Sequence, residues 1–319
     1  MDLGQNIKIR RLELNMSQKD LAVAVGYRSP SAIAKIESGD NDLPMSKLEA
    51  LARALDTSVE RLIVGASAPS QTSQESSISA TEKGYRCAAI ILAGGKSTRN
   101  EQNIPNQFIN VLGKPVIMYS MEAYQKHPLV DDIIVVCLKG WEGIVKGYAD
   151  QYGITKLRSI VHAGDSGLES IKQGFEKACA LGLTEEDVVI VQETTRPFVT
   201  EETISKLLNA CIERGSSVIC EPLSDHLVFM KKEDGPASYV DRNTILSMQS
   251  PDAHRVATLV KMFAEAEEQR IPLTENCCGL LLYELGYPLY FCEGNHNNIK
   301  LVRQEDVAVF TALLRLRDM

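Results

Sequence analysis

A run at residues 67–84, SAPSQTSQESSISATEKG, divides the 319-residue chain into two differently patterned parts. Ile78 is its only large apolar residue, so it cannot bury enough surface to offset the entropy lost on ordering, and it reads as a flexible linker. A chain of this length also exceeds what one hydrophobic core usually organises. The expected organisation is a domain at 1–66, the linker at 67–84 and a larger domain at 85–319.

Before the linker, Ile7, Leu12, Leu14, Leu21, Val23, Ile33, Ile36, Leu48, Leu51, Leu55 and Leu62 recur at helical spacing. Breaks at Asn15-Met16, Gly26 and Gly39-Asp40 cut this pattern into four or five short helices. Ser17 with Asp20 forms an N-cap pair for the second helix, and Pro44-Met45-Ser46 opens the fourth. The stretch MSQKDLAVAVGYRSPSAIAKIESGDNDLPMSKLEALARALDTSVERLIV resembles the Cro and phage-repressor-like helix-turn-helix family along nearly its whole length. The resemblance implies an all-α DNA-binding domain in which Gln18, Arg28, Ser29, Ser31 and Lys35 face the major groove of operator DNA. Gln and Arg supply the bidentate donors and acceptors that base readout requires. Small domains of this kind also serve as dimerisation or protein-contact modules, and acidic Asp20, Asp40 and Asp42 dilute the basic face.

After the linker, strand-like and helix-like runs alternate: residues 87–93, helical 115–127, 133–138, helical 142–152, then apolar runs at 188–191 and 218–220. This alternation predicts βαβ units in an α/β fold with a mostly parallel sheet, whose ligands bind at the carboxyl ends of the strands. Directly after the first strand stands Leu92-Ala93-Gly94-Gly95-Lys96-Ser97-Thr98-Arg99, a glycine turn running into cations. Such a turn brings backbone N–H groups close to phosphates while Lys and Arg neutralise charge.

Further motifs accompany it in order. They are Pro105-Asn106-Gln107-Phe108, Gly113-Lys114-Pro115-Val116, Glu193-Thr194-Thr195-Arg196-Pro197-Phe198-Val199, Asp241-Arg242, Gln249-Ser250-Pro251, Thr274-Glu275 and Asn298-Ile299-Lys300. The series resembles the methylerythritol-phosphate and ribitol-phosphate cytidylyltransferases from about Arg86 to the C-terminus. The resemblance implies a nucleotide-diphospho-sugar-transferase-like fold with a projecting β-arm that joins two chains as a homodimer. Residues 227–235, an alternating strand entering an Asp-Gly turn, suit that arm.

The implied reaction is attack by the phosphate of a small alcohol phosphate on the α-phosphorus of CTP, releasing pyrophosphate, with Mg2+ as the metal. Such chemistry rests on in-line positioning and charge neutralisation. By motif position Arg99 and Lys300 carry catalysis, with Lys96 in the same loop as the cation that compensates for the lysine missing at Asn106, and Ala93, Gly94, Gly95 and Ser170 hold the nucleotide. Asp225, His226 and Arg242 face the acceptor, Glu193 and Glu275 hold the metal, and Arg196 braces the site.

The chain departs from the family pattern at several of these positions. The family's Pro-Lys-Gln-Phe has Asn106 in place of its lysine, which removes a cation beside Arg99. The metal-binding aspartates are the glutamates Glu193 and Glu275, each longer by about 1.5 Å. Gly167 stands near the family's arginine ahead of Ser170-Ile171, and His226 replaces a threonine, so the acceptor need not be methylerythritol phosphate. Two functions stay open: a cytidylyltransferase fused to a DNA-binding regulator, or a regulator whose altered domain senses nucleotide or alcohol phosphate without turnover. Asn106 favours the second, whereas Arg99, Lys300 and two carboxylates favour the first. A protein that both catalyses and represses its own pathway, such as isoprenoid biosynthesis, is the third possibility.

No apolar run approaches the roughly 20 residues that span a bilayer. The N-terminus lacks the apolar core of a secretion signal, so a cytoplasmic protein is expected. Eight scattered cysteines without metal-finger spacing read as buried free thiols, and the Cys277-Cys278 pair as packing. The net charge of −8 excludes a nonspecific nucleic-acid coat and confines any DNA contact to a local surface.

Overall fold

A computed structural model describes residues 3–14, 16–27, 29–38, 45–57, 59, 62, 84–96, 104–223, 227–231, 235–274 and 277–317. The expected linker at 67–84 lies outside them save for Gly84. The chain separates into two units, Met1–Ala80 and Thr81–Met319.

The first unit is helical. It contains α1 (Leu3–Glu13), α2 (Gln18–Ala24), α3 (Pro30–Glu37) and α4 (Met45–Ala54). Ser17 caps α2 in a full capping box with Asp20, and Ser29 caps α3 through the Ser31 amide, with Pro30 at the first helical position. Ile7, Leu21, Ile33, Leu51 and Leu55 are fully buried in its core, as their helical spacing requires.

The second unit is built on a seven-stranded sheet. Its strands are β1 (Cys87–Ala93), β4 (Asp132–Cys137), β5 (Leu157–His162), β6 (Val188–Glu193), β7 (Ser216–Pro222), β10 (Leu246–Arg255) and β11 (Phe291–Glu293). Two short ribbons accompany it, β2 (Asn110–Val111) with β3 (Lys114–Pro115) and β8 (Val228–Met230) with β9 (Ser238–Val240). The order across the sheet is β11-β7-β10-β6-β1-β4-β5, and only β10 runs antiparallel to its neighbours β6 and β7. The helices between strands are α5 (Val116–Lys126), α6 (Glu142–Gln151), α7 (Gly167–Ala180), α8 (Glu201–Arg214), α9 (Val256–Glu268), α10 (Cys278–Glu284) and α11 (Gln304–Arg317).

Strands β1 and β4 are apolar and buried because helices cover both of their faces. One face packs Ala88, Ile90, Ile134, Val136, Val189 and Val191 against α7, α9 and α10. Gly174 of α7 sits where a Cβ would come within 2.6 Å of Ile90 Cγ2, so glycine sets how closely α7 approaches β1. The expected arm is present as the β8–β9 hairpin, with Gly235 in the left-handed region at φ 106°. Among the described residues no helix is long and apolar enough to cross a membrane. All eight cysteines are free; Cys87, Cys137, Cys211, Cys220 and Cys278 are buried and the other three partly so.

His127, at the end of α5, is 1% exposed and contacts Ser205 of α8 at 3.0 Å through Nε2, while its Nδ1 accepts the Leu129 N–H. Burial, with help from the Lys156 charge, pushes its pKa down from 6.5 to about 4. The folded state therefore binds this proton less readily than the unfolded chain. Its stability is intact above the unfolded value of 6.5 and is lost as pH falls toward 4. Denaturant unfolding of the α/β unit is expected to show a loss of about 2 kcal/mol between pH 7 and pH 5 from this group. His127→Gln should flatten that dependence; an unchanged pH profile in the variant would contradict the assignment.

Candidate active site

The carboxyl ends of β1 and β6 lie side by side, with Leu92 opposite Glu193 in the parallel ladder. Thr194 fastens this seam by donating both its backbone N–H and its Oγ1 to the Leu92 carbonyl, at 3.3 and 2.7 Å. From here β1 runs into Ala93, Gly94 and Gly95 while β6 delivers the Glu193 carboxylate.

The glycine turn is held from two sides. Gln107 is buried, and its Nε2 donates to the carbonyls of Ala93 at 2.9 Å and Gly95 at 2.8 Å. Gly94 passes so close to the loop after β5 that a Cβ would stand 2.3 Å from Ala163 Cβ. Ser170 supports that loop: its hydroxyl accepts the Gly164 N–H at 3.1 Å and donates to the Ser166 carbonyl at 2.8 Å. Ser170 thus holds the loop after β5 through hydrogen bonds of its own, and Lys96 is exposed at the edge of the glycine turn.

Lys300 reaches the same place from the C-terminal segment. Its Nζ lies 3.0 and 2.8 Å from the two carboxylate oxygens of Glu193. The backbone around Lys300 is tied to the turn after β6, since the Leu301 N–H donates to the Thr195 carbonyl at 2.7 Å and Arg196 Nη1 donates to the Asn298 carbonyl at 2.7 Å. Arg196 is thereby the expected brace. Burial lowers its pKa, opposed by the charges of Glu193 and Glu221. Asn298, 1% exposed, donates to the Ser250 carbonyl and to Gln249 Oε1, and Ser250 Oγ accepts the Glu193 N–H at 2.8 Å. Strand β10 therefore fixes both Lys300 and Glu193.

Asn106 is 6% exposed, and its amide faces the carbonyls of Leu301 and Val302 at 3.4 and 3.5 Å. The residue standing where the family has a lysine ties the 106 segment to the loop directly after Lys300. Motif and spacing alone assign no role to Gln107, Gln249, Ser250 and Asn298. Their motifs are visible in the sequence, but the partners lie up to 102 positions away in pairs such as Arg196 and Asn298.

Glu193, Lys300, Gly94, Gly95, Ala93 and Lys96 thus stand at the carboxyl ends of the central strands β1 and β6. Arg242 sits apart on a 3-10 turn, Arg242–Thr244, leading into β10, and is exposed. Arg99, Asp225, His226 and Glu275 lie outside the described residues, as does Arg28 of the helical unit. As a hard oxygen donor beside a phosphate-suited turn, Glu193 fits a Mg2+ ion, which takes one or two protein carboxylates and fills its shell with substrate phosphate and water.

In the helical unit Ser31 and Lys35 are exposed one turn apart on α3, with Ser29 at its N-cap. Gln18 is half-buried, and its Nε2 donates to Glu37 Oε2 at 2.8 Å. Glu37 in turn pairs with buried Arg11, at 2.6 Å from Nε.

Residues 87–316 match the family described as 2-C-methyl-D-erythritol 4-phosphate cytidylyltransferase, and residues 7–62 match the helix-turn-helix family. A ribitol-5-phosphate cytidylyltransferase of Lacticaseibacillus paracasei is 33% identical over 72% of this chain and 99% of its own length. A 2-C-methyl-D-erythritol 4-phosphate cytidylyltransferase of Alkaliphilus metalliredigens is 27% identical over 73% of this chain and 94% of its own length. In fold, the chain is similar to 4-diphosphocytidyl-2C-methyl-D-erythritol synthase of Anaerococcus prevotii, with a TM-score of 0.61 and 23% identity over 72% of this chain and 96% of that one. The sheet order, the glycine turn and the Glu193–Lys300 pair stand on the segment these comparisons cover, and the chain belongs to the 2-C-methyl-D-erythritol 4-phosphate cytidylyltransferase family, with a helix-turn-helix domain ahead of the enzyme domain.

Proposed function

We propose that the α/β unit transfers the cytidylyl group of CTP to the phosphate of ribitol 5-phosphate or a closely similar polyol phosphate. The observation that carries the reading is the Lys300–Glu193 pair at the carboxyl end of β6, beside the strand β1 that runs into the Gly94-Gly95 turn. The higher identity to a ribitol-5-phosphate enzyme than to a methylerythritol-phosphate enzyme favours the first acceptor. An isoprenoid role is correspondingly the second reading.

In this mechanism the backbone N–H groups of the glycine turn bind the triphosphate, kept open by Gln107 and by the absence of side chains at Gly94 and Gly95. An oxygen of the acceptor phosphate attacks the α-phosphorus in line, the bond to the β-phosphate oxygen breaks, and pyrophosphate leaves with that electron pair. Lys300, Arg99 and Lys96 neutralise the charge gathered there. Glu193 and Glu275 would hold Mg2+, which supplies further positive charge to the phosphates. Glu193 also holds the Lys300 amine at the carboxyl end of β6. Asp225, His226 and Arg242 are assigned to the acceptor.

The purified chain, given CTP, Mg2+ and ribitol 5-phosphate, is expected to release pyrophosphate, and Asn106→Lys to raise turnover by restoring the cation that the family pattern places beside Arg99. If CTP binds yet neither protein turns over ribitol, methylerythritol or glycerol phosphate, the domain is a sensor. CTP-dependent change in DNA affinity is then the property to measure.

The reading includes a cytoplasmic homodimer joined through the β8–β9 hairpin, on which Leu227, Phe229, Met230 and Tyr239 are all more than half exposed. Replacing the hairpin by a short glycine link is expected to yield monomers in light scattering; a dimer of undiminished stability would reject this. A homodimer carries two helix-turn-helix units, suited to two half-sites of operator DNA.

A further inference from the structure

We propose that Asp252, His254 and Cys278 form a buried binding site for a transition-metal cation of the zinc type, separate from the Glu193 site and serving to brace the sheet. Asp252 and His254 alternate on β10 and so point to one face, where Cys278 begins α10. One candidate ligand atom from each residue lies within 4.8 Å of the other two. All three residues are buried, at 5%, 0% and 0% exposure, and they are the one such group among the described residues.

Without a cation the arrangement is costly. His254 Nε2 and Asp252 Oδ2 are 2.8 Å apart, which leaves His254 Nδ1 buried with no partner. A neutral ring then strands a lone pair and a protonated ring strands an N–H, and either costs free energy in an apolar core. Around the cluster the core is built from Val189, Val191, Leu259 and Leu281, where leucine or phenylalanine would pack with no such cost. A carboxylate, an imidazole and a thiol brought together there match the mixed oxygen, nitrogen and sulfur ligation of zinc, and the thiolate discriminates against Mg2+ and Ca2+.

Burial holds the Cys278 thiol protonated, with its pKa well above the ordinary value. Binding a divalent cation releases that proton to solvent as the S–H bond is exchanged for a metal–sulfur bond, and one divalent charge balances the thiolate and the carboxylate. The site's location gives it a consequence. Asp252 pairs with Val191 on β6 and follows Ser250, which accepts the Glu193 N–H, so a metal there would clamp α10 to β10, the strand that holds the backbone of the active-site carboxylate. Spacing in the sequence does not disclose this site, because Asp252 and Cys278 come from different elements.

The test uses the full chain, stripped with a chelator and titrated with Zn2+ and, in a separate metal-free sample, with Co2+. One equivalent per chain is expected to bind. Co2+ should give a near-ultraviolet sulfur-to-metal absorption that Cys277→Ser retains and Cys278→Ser loses, and Zn2+ should raise the melting temperature of wild type but not of Cys278→Ser. Should Cys278→Ser fail to fold, His254→Gln is the second variant, expected to lose the equivalent of Zn2+. Absence of a stoichiometric equivalent in wild type, or a Co2+ band that survives Cys278→Ser, overturns the proposal.

Discussion

Lys300→Met is expected to lower cytidylyl transfer by about a hundred- to a thousandfold, the loss typical when one preorganised charge is removed from a developing anion. Methionine keeps the unbranched stem, so the backbone ties from Leu301 to Thr195 and from Arg196 to Asn298 should persist. Glu193 is partly exposed and retains Arg196 at 3.8 Å, so the carboxylate left without Lys300 is not stranded in a dry core. The variant should therefore melt close to wild type. The loss should fall on kcat more than on the KM for CTP, because the charge to be stabilised grows in the transition state. Arg99→Ala is expected to abolish turnover altogether. A Lys300→Met enzyme within about threefold of wild type would remove Lys300 from the catalytic group, since that difference is below the smallest effects of losing such a charge.

Much of the fold around this site is legible from residues alone, for identifiable reasons. The strands at 87–93 and 133–138 announce themselves because both faces of a central parallel strand are buried, which demands an unbroken apolar run. Helices α5 and α6 carry the helical period and were readable to within a residue or so. Strand β10 was not, although it holds the site together. Its sequence, LSMQSPDAHR, has polar residues at most positions because it supplies Gln249, Ser250, Asp252 and His254 to their neighbours instead of filling a core. Strand β5 sits at the edge of the sheet and is mixed in character, and β11 is three residues long, so neither rises above its surroundings. The same limit applies to Asn106. As a sequence difference it reads as a lost cation, whereas in the fold it is a buried amide against the carbonyls that follow Lys300. That relation spans 195 positions and leaves no periodic trace.

Removing Glu37 is expected to unfold the helix-turn-helix unit while leaving the α/β unit intact. Glu37 and Arg11 are 4% and 6% exposed, and their two contacts, at 2.6 and 3.1 Å, form a fork that Arg11 completes by donating to the Met16 carbonyl at 2.7 Å. Glu37→Ala leaves a guanidinium buried without its carboxylate, which costs about 3–5 kcal/mol. For a unit this small that is most of the roughly 5 kcal/mol at the low end of domain stabilities. It also frees Gln18, whose amide Glu37 holds in place, so any protein that stays folded should lose affinity for double-stranded DNA. Calorimetry of the full chain should show the transition of the N-terminal unit vanish or fall by tens of degrees, with the α/β transition unmoved. Arg11→Met combined with Glu37→Met should recover much of the stability, because two packed apolar side chains leave no unpaired charge, but should not restore DNA binding that depends on Gln18. If Glu37→Ala melts like wild type, the pair is not what holds α1 against α3, and the orientation of Gln18 must come from elsewhere.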